Sequence, residues 1–179
     1  MSAYQKAAQQ ILSLAGAHPP EVGVILGSGL AGVAESFTDA VVLPYSEIDG
    51  FPPAGVEGHT GQLVMGKQGS CSVACLQGRW HAYEGHDLAD LVVPIRALKA
   101  AGCKNLLMTC AAGSLQKEMP PGSLMMLTDG HTCTLRLNWR IGSHSLSLRR
   151  MLRRQLLKSW GSTGRSMSCL LYTSDAADE

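Results

Sequence analysis

The sequence is poor in aromatic residues and in charge. Aromatic side chains make up 5% of its 179 residues, and Asp, Glu, Lys and Arg together make up 16%, below the usual share of about 25%. With 45% hydrophobic residues and a net charge of +1, the composition excludes intrinsic disorder for most of the chain. No apolar run reaches the roughly 18–20 residues that cross a bilayer. The first residues lack the basic, apolar, small-residue order of a secretory signal. The expectation is a cytoplasmic protein with no membrane partner. Six cysteines (Cys71, Cys75, Cys103, Cys110, Cys133 and Cys169) show no paired metal spacing. Free thiols in a reducing compartment are expected.

Acidic residues are missing from one part of the chain altogether. Residues 131–174 hold eight Lys or Arg and no Asp or Glu, whereas residues 1–129 hold seven against eleven. All eight prolines lie before residue 122, and twelve of the 44 residues from 131 to 174 are Ser or Thr. The boundary near residue 131 therefore divides the chain into two parts to be read separately.

The first part alternates helices and strands. Ser2 caps a predicted helix from Ala3 to Ala15, stopped by Gly16 and Pro19-Pro20. Val22 to Leu26 is an apolar run suited to a buried strand, followed by the turn Gly27-Ser28-Gly29 and one or two helical turns from Leu30 to Phe37. Ala40 to Leu43, Gln62 to Gly66, Ser70 to Leu76, Asn105 to Thr109 and Ser123 to Leu127 read as further strands. The second and third of these form a hairpin around Lys67-Gln68-Gly69. Pro44 to Gly61 reads mostly as loop, and Asp87 caps a helix through Ala101 with Pro94 as a kink. Alternating strands and helices predict an α/β fold with a largely buried sheet.

Several loops at strand ends suit an anion. Gly27-Ser28-Gly29 lets backbone N–H groups approach a ligand, and Ser28 adds a hydroxyl. Arg79 offers a planar fork of donors, and His81 lies two residues on. Cys110-Ala111-Ala112-Gly113 leaves room for a backbone N–H to face a ligand, and His59 sits in Gly58-His59-Thr60-Gly61. Each feature has a plain alternative: an ordinary connector, an exposed Arg and His, a tightly packed sheet end, a loop His. Gly27, Gly29 and Gly32 also fit the G-x-G-x-x-G spacing of a dinucleotide site. Its acidic ribose partner could then only be Glu47 or Asp49, both in a Pro- and Gly-rich stretch. Convergence of four features on one anion outweighs any one of them.

The phrases V-I-L-G-S-G-L (24–30), G-H-T-G (58–61), G-R-W-H-A-Y-E-G-H (78–86), T-C-A-A-G-S-L (109–115) and L-T-D-G-H (127–131) stand in a family-like order. The chain resembles the purine nucleoside phosphorylases of the trimeric, low-molecular-mass class. The resemblance implies a purine/uridine phosphorylase-like mixed central sheet flanked by helices, here the N-terminal half only. It implies that Ser28, Arg79, His81 and the backbone N–H of Ala111 bind phosphate. His59 would approach the phosphate and the ribose, Tyr83 would contact the ribose, and Glu84 would support the phosphate loop. His81 and Glu84 are the catalytic candidates. The implied reaction turns a purine nucleoside and phosphate into the base and ribose 1-phosphate. No metal or organic cofactor is implied, since phosphate is a substrate, and a homotrimer is the family expectation. A methylthioadenosine phosphorylase-like enzyme is the alternative that matches Tyr83-Glu84-Gly85 less well.

Cys110 stands where many members carry Asn. The family's base-recognising Glu and Asn, a ribose-contacting Met and a late His have no counterpart motif after residue 131. Residues 1–131 are therefore read as the N-terminal part of a phosphorylase domain. Residues 132–179 are read as a non-family basic tail, out of frame and poorly packed. Lys158 to Ser168 can be coded so that a shifted frame reads Glu-Glu-Leu-Gly-Ile-Asp-Arg-Glu-Val-Asp-Val, an ordinary soluble sequence, and Leu171 to Glu179 resembles vector read-through. A fragment of this kind is expected to be weak or inactive. The rival reading is a non-catalytic phosphate-binding fragment. Its tail would carry Arg149, Arg150, Arg153, Arg154 and Lys158 on one helix side and bind nucleic acid. The phosphorylase reading expects no nucleic-acid partner.

Overall fold

A computed structural model describes residues 1–27, 29–52, 61–81, 84, 86–112, 117, 118, 120, 122–127 and 167–173. Helix α1 spans Ala3–Ala15. The Ser2 backbone N–H donates to Gln5 Oε1 at 2.8 Å, half of a capping box that satisfies an orphan donor at the helix start. Its stripe of Ala7, Ala8 and Ile11 is buried, as the helical spacing predicts.

The described strands are β1 (Val22–Leu26), β2 (Thr38–Pro44), β3 (Gln62–Gln68), β4 (Cys71–Gln77), β5 (Asn105–Ala112), β6 (Leu124–Leu127) and β7 (Met167–Thr173). They form one sheet in the order β2-β3-β4-β1-β5-β7-β6. β1 is parallel to both β4 and β5, and β5 is parallel to β7. β2 and β3, β3 and β4, and β6 and β7 pair antiparallel. The mixed central sheet expected from the sequence is thus present.

Each face of the sheet carries its own core. Ala7, Ile11, Ile25, Leu63, Leu76, Leu98 and Leu106 cluster on one face beneath the helices. Val24, Leu26, Ala34, Val64, Val73 and Cys75 cluster on the other. The alternation of Val24, Ile25 and Leu26 between the two cores follows from the two-residue period of a strand. Gly23 has a packing reason: a Cβ there would come within 3.1 Å of Leu98 Cδ1 and 3.2 Å of Leu106 Cδ1.

The helix expected from Asp87 to Ala101 is two helices, α2 (Leu88–Leu91) and α3 (Val93–Ala100). Pro94 is the cause. It lacks an N–H, and its ring clashes with the carbonyl four residues back, so the helix stops and restarts with proline in its first turn.

Strand β7 lies within the stretch read as the tail. Met167–Thr173 sits between β5 and β6, paired from Leu106↔Met167 to Ala112↔Thr173 and from Leu124↔Tyr172 to Leu127↔Cys169. Its Cys169-Leu170-Leu171-Tyr172 run is apolar in sequence. The same pairing carries β5 three residues beyond its expected end at Thr109. The rest of the tail, including the basic stretch at 149–158, lies outside the described residues.

Candidate functional site

The parallel register sets where the candidate residues gather. Leu26 of β1 is level with Gln77 of β4, and Ile25 is level with Met108 of β5. The C-terminal ends of three adjacent parallel strands therefore lie side by side. After β1 the chain leaves on the face of Ala34, and after β4 it crosses on the face of Leu98. The crevice between strands whose connections leave on opposite faces is where open α/β sheets bind ligands.

The turn after β1 is fastened to β5. The Gly27 N–H donates to Thr109 Oγ1 at 2.8 Å, and Thr109 is buried. A Cβ on Gly27 would lie 2.8 Å from the Thr109 carbonyl oxygen and 3.0 Å from Cys110 Cα. Only glycine lets the two backbones come this close. The turn thus rests against Cys110, next to Ala111. Ala111 itself is the penultimate residue of β5, level with Tyr172, and not part of the turn that the sequence pattern predicts. The turn also has a brace from β4. Buried Gln77 donates from Nε2 to the Ala31 carbonyl at 2.7 Å and accepts from Gln62 Nε2 at 2.6 Å.

The loop after β4 carries the charged groups. The Arg79 Nε–H donates to His81 Nε2 at 3.2 Å. The other ring nitrogen, His81 Nδ1, lies 2.8 Å from Glu84 Oε1. Because Nε2 accepts from Arg79, the ring proton belongs on Nδ1, where Glu84 receives it. Glu84 closes a backbone turn on the same residue, its N–H donating to the His81 carbonyl at 3.1 Å. Burial raises the Glu84 pKa, but hydrogen bonds from the ring and backbone of His81 outweigh it. The positive charge that His81 and His86 can carry acts the same way, and the net result is a carboxyl below its ordinary range.

An aromatic cluster supports this loop. Trp80 lies 4.6 Å from Tyr45 and 5.5 Å from Phe51 between ring centroids. The Tyr45 hydroxyl donates to the Gly78 carbonyl at 2.9 Å. Burial, and then the nearby Cys75 thiol, push the Tyr45 phenol well above its usual pKa, so it remains a donor.

The structure brings Arg79, His81 and Glu84 into one connected group, and seats the β1 turn against the end of β5. Ser28, His59 and Tyr83 lie outside the described residues. Thr109, Gln77 and His86 also belong to this region and were not singled out by sequence pattern. Among the described residues no group of three or more His, Cys, Asp or Glu could hold a metal ion, and no helix is long and apolar enough to cross a membrane.

The chain is similar to several known proteins. The chain is 44% identical over 110 residues to purine nucleoside phosphorylase 1 of Geobacillus stearothermophilus, covering 62% of this chain and 40% of that protein. It is 41% identical over 133 residues to the purine nucleoside phosphorylase of Mycobacterium bovis, covering 74% of this chain and 50% of that protein. A solved purine nucleoside phosphorylase in complex with ribose-1-phosphate superposes with a TM-score of 0.63 at 35% identity, covering 70% of this chain and 47% of the other. The chain therefore spans half or less of the length of these relatives. The model of the phosphorylase superfamily matches residues 21–153, beyond the residue 131 boundary. With more than half of its length matched, this chain belongs to the phosphorylase superfamily.

Proposed function

We propose that this chain carries the phosphate half of a purine nucleoside phosphorylase, a pentosyltransferase of nucleoside metabolism. The observation that supports this most is the Arg79–His81–Glu84 chain of contacts at the C-terminal end of β4, beside the Gly27 turn. A guanidinium presents donors to an oxyanion, and the carboxylate of Glu84 fixes the imidazole beside it. Ser28, His59 and the Ala111 N–H complete the phosphate set in this reading, with Tyr83 and His59 toward the ribose.

The reaction follows from that placement. A phosphate oxygen bonds to the anomeric carbon as the bond from that carbon to the purine nitrogen breaks. The electron pair leaves with the base, and the proton of hydrogen phosphate ends on it. The products are the free purine and ribose 1-phosphate. The sugar passes through a cationic, oxocarbenium-like transition state, which an adjacent phosphate dianion stabilises. No cofactor takes part. A cytoplasmic homotrimer is the working assembly in this reading.

Turnover needs the base-binding half of the site as well, because binding energy from the base lowers the barrier. The 179-residue chain accordingly binds phosphate and turns over purine nucleosides more than tenfold more slowly than a full-length relative. Assay of hypoxanthine release from inosine and phosphate checks this. Turnover within tenfold of the relative contradicts the half-site reading. Failure of Arg79→Met to change phosphate binding contradicts the site itself.

A further inference from the structure

His86 closes the phrase that holds Arg79, His81 and Glu84, yet nothing so far gives it a task. Its side chain is mostly buried, and its buried Nε2 atom has no hydrogen-bond partner among the described residues. That nitrogen lies 3.5 Å from Glu84 Oε2. The opposite oxygen of the same carboxylate, Oε1, is 2.8 Å from His81 Nδ1. Two imidazoles thus face the two oxygens of one carboxylate, whose side chain is only 6% exposed.

The protonation of His86 follows from its neighbour. An unprotonated Nε2 would turn its lone pair toward an anion, and the two would repel. A buried N–H with no partner is costly, and Glu84 Oε2 is an acceptor 3.5 Å away. The proton of His86 therefore sits on Nε2, aimed at Glu84. The separation is longer than an ordinary hydrogen bond, so the contact is chiefly electrostatic.

Resting on the phosphate-site reading above, we propose that His86 is a positioning residue: it holds Glu84 Oε2 so that Oε1 stays on His81 Nδ1, which keeps the Nε2 end of His81 beside Arg79. Without it, Glu84 Oε2 loses the imidazole that faces it, and only the hydrogen bonds from His81 remain on the carboxylate among the described residues. The carboxylate can then rotate off His81, and the imidazole loses the contact that selects its tautomer. The effect reaches the anion only through Glu84 and His81. His86 need not touch phosphate.

The test uses the full chain labelled with ¹⁵N. Ring-nitrogen shifts report the His81 tautomer, assigned by the signal lost in His81→Asn. Inorganic phosphate is titrated in parallel. Wild type shows His81 as the Nδ1–H tautomer. His86→Phe moves the two His81 ring nitrogens toward a common averaged shift and weakens phosphate binding about fivefold, the scale of one ordinary hydrogen bond. His86→Gln, which keeps a donor, restores both. In a Glu84→Gln background, His86→Phe changes phosphate affinity less than twofold. If the Phe ring prevents folding, His86→Leu removes the same donor and carries the same expectations. Unchanged His81 shifts together with unchanged phosphate affinity in the Phe or Leu variant overturn the proposal. Absence of phosphate binding by the wild type would refute the phosphate site, and the His81 shifts would still decide the role of His86.

Discussion

Gly27 and Thr109 are 82 residues apart in sequence, yet the amide of one donates to the hydroxyl of the other at 2.8 Å. This contact ties the turn after β1 to β5 and sets the floor of the proposed anion site. The hydroxyl also lies 3.4 Å from the Ile25 carbonyl oxygen, so it is engaged on both sides.

Thr109→Val keeps the shape of the side chain and removes the acceptor. The part-buried Gly27 N–H then loses this acceptor. A loss of about 1–2 kcal/mol in unfolding free energy is expected, and phosphate binding weakens with it. Thr109→Ser retains most of both. Urea unfolding of the two variants checks this.

Gly27→Ala tests the close approach. The new Cβ would meet backbone at 2.8 and 3.0 Å, and backbone gives way less readily than a side-chain tip. Overpacking of this kind costs about 1–3 kcal/mol. Gly32→Ala, where a Cβ meets nothing within 4 Å, serves as the control and leaves phosphate affinity unchanged.

Glu84 makes stability depend on pH in a defined direction. Its folded pKa is depressed, so its contribution is fully present above the unfolded value of about 4.3. That contribution is lost as pH falls through the lower folded value. Glu84→Gln is expected to destabilise the chain at pH 7, and the difference from wild type shrinks below about pH 4. Urea melts across this range measure the gap. A gap that is constant with pH contradicts the ionised, hydrogen-bonded carboxylate.

The thiols divide by burial. Cys75 and Cys103 are fully buried, and burial pushes both up to about 12, so alkylation at pH 8 leaves them unmodified in the native chain. Cys71 and Cys110 are partly exposed and are modified first. Cys110 lies against the Gly27 turn, so saturating phosphate slows its alkylation and leaves Cys71 unaffected. Peptide mass mapping after iodoacetamide treatment reads all four sites.

At one edge of the described sheet, β6 exposes Leu124 at 66% and Met126 at 63%. Apolar side chains on an edge strand invite pairing with another chain. Leu124→Lys and Met126→Lys are expected to lower concentration-dependent association in light scattering.

Local features made much of this fold legible. The apolar run at Val22–Leu26, the hairpin turn at Gly69 and the spacing of Ala7, Ala8 and Ile11 each act within a few residues. So does Pro94, although a kink was expected and a break occurs. The site's charged core was legible because Arg79, His81 and Glu84 fall within six residues. The supports were not. Thr109 and Gln77 act on Gly27 and Ala31 across long stretches of chain, and only the sheet register brings them together. Strand β7 was obscured because the basic tail was judged by its composition, which hides the apolar run from Cys169 to Tyr172.

Calorimetric titration of inorganic phosphate into the full chain tests the oxyanion pocket most directly. Saturable one-site binding is predicted, weakened at least tenfold by Arg79→Met, a loss of about 1.4 kcal/mol or more, with the melting temperature held. Binding that is absent in the folded wild-type chain, or equal in the wild type and Arg79→Met, would contradict the account.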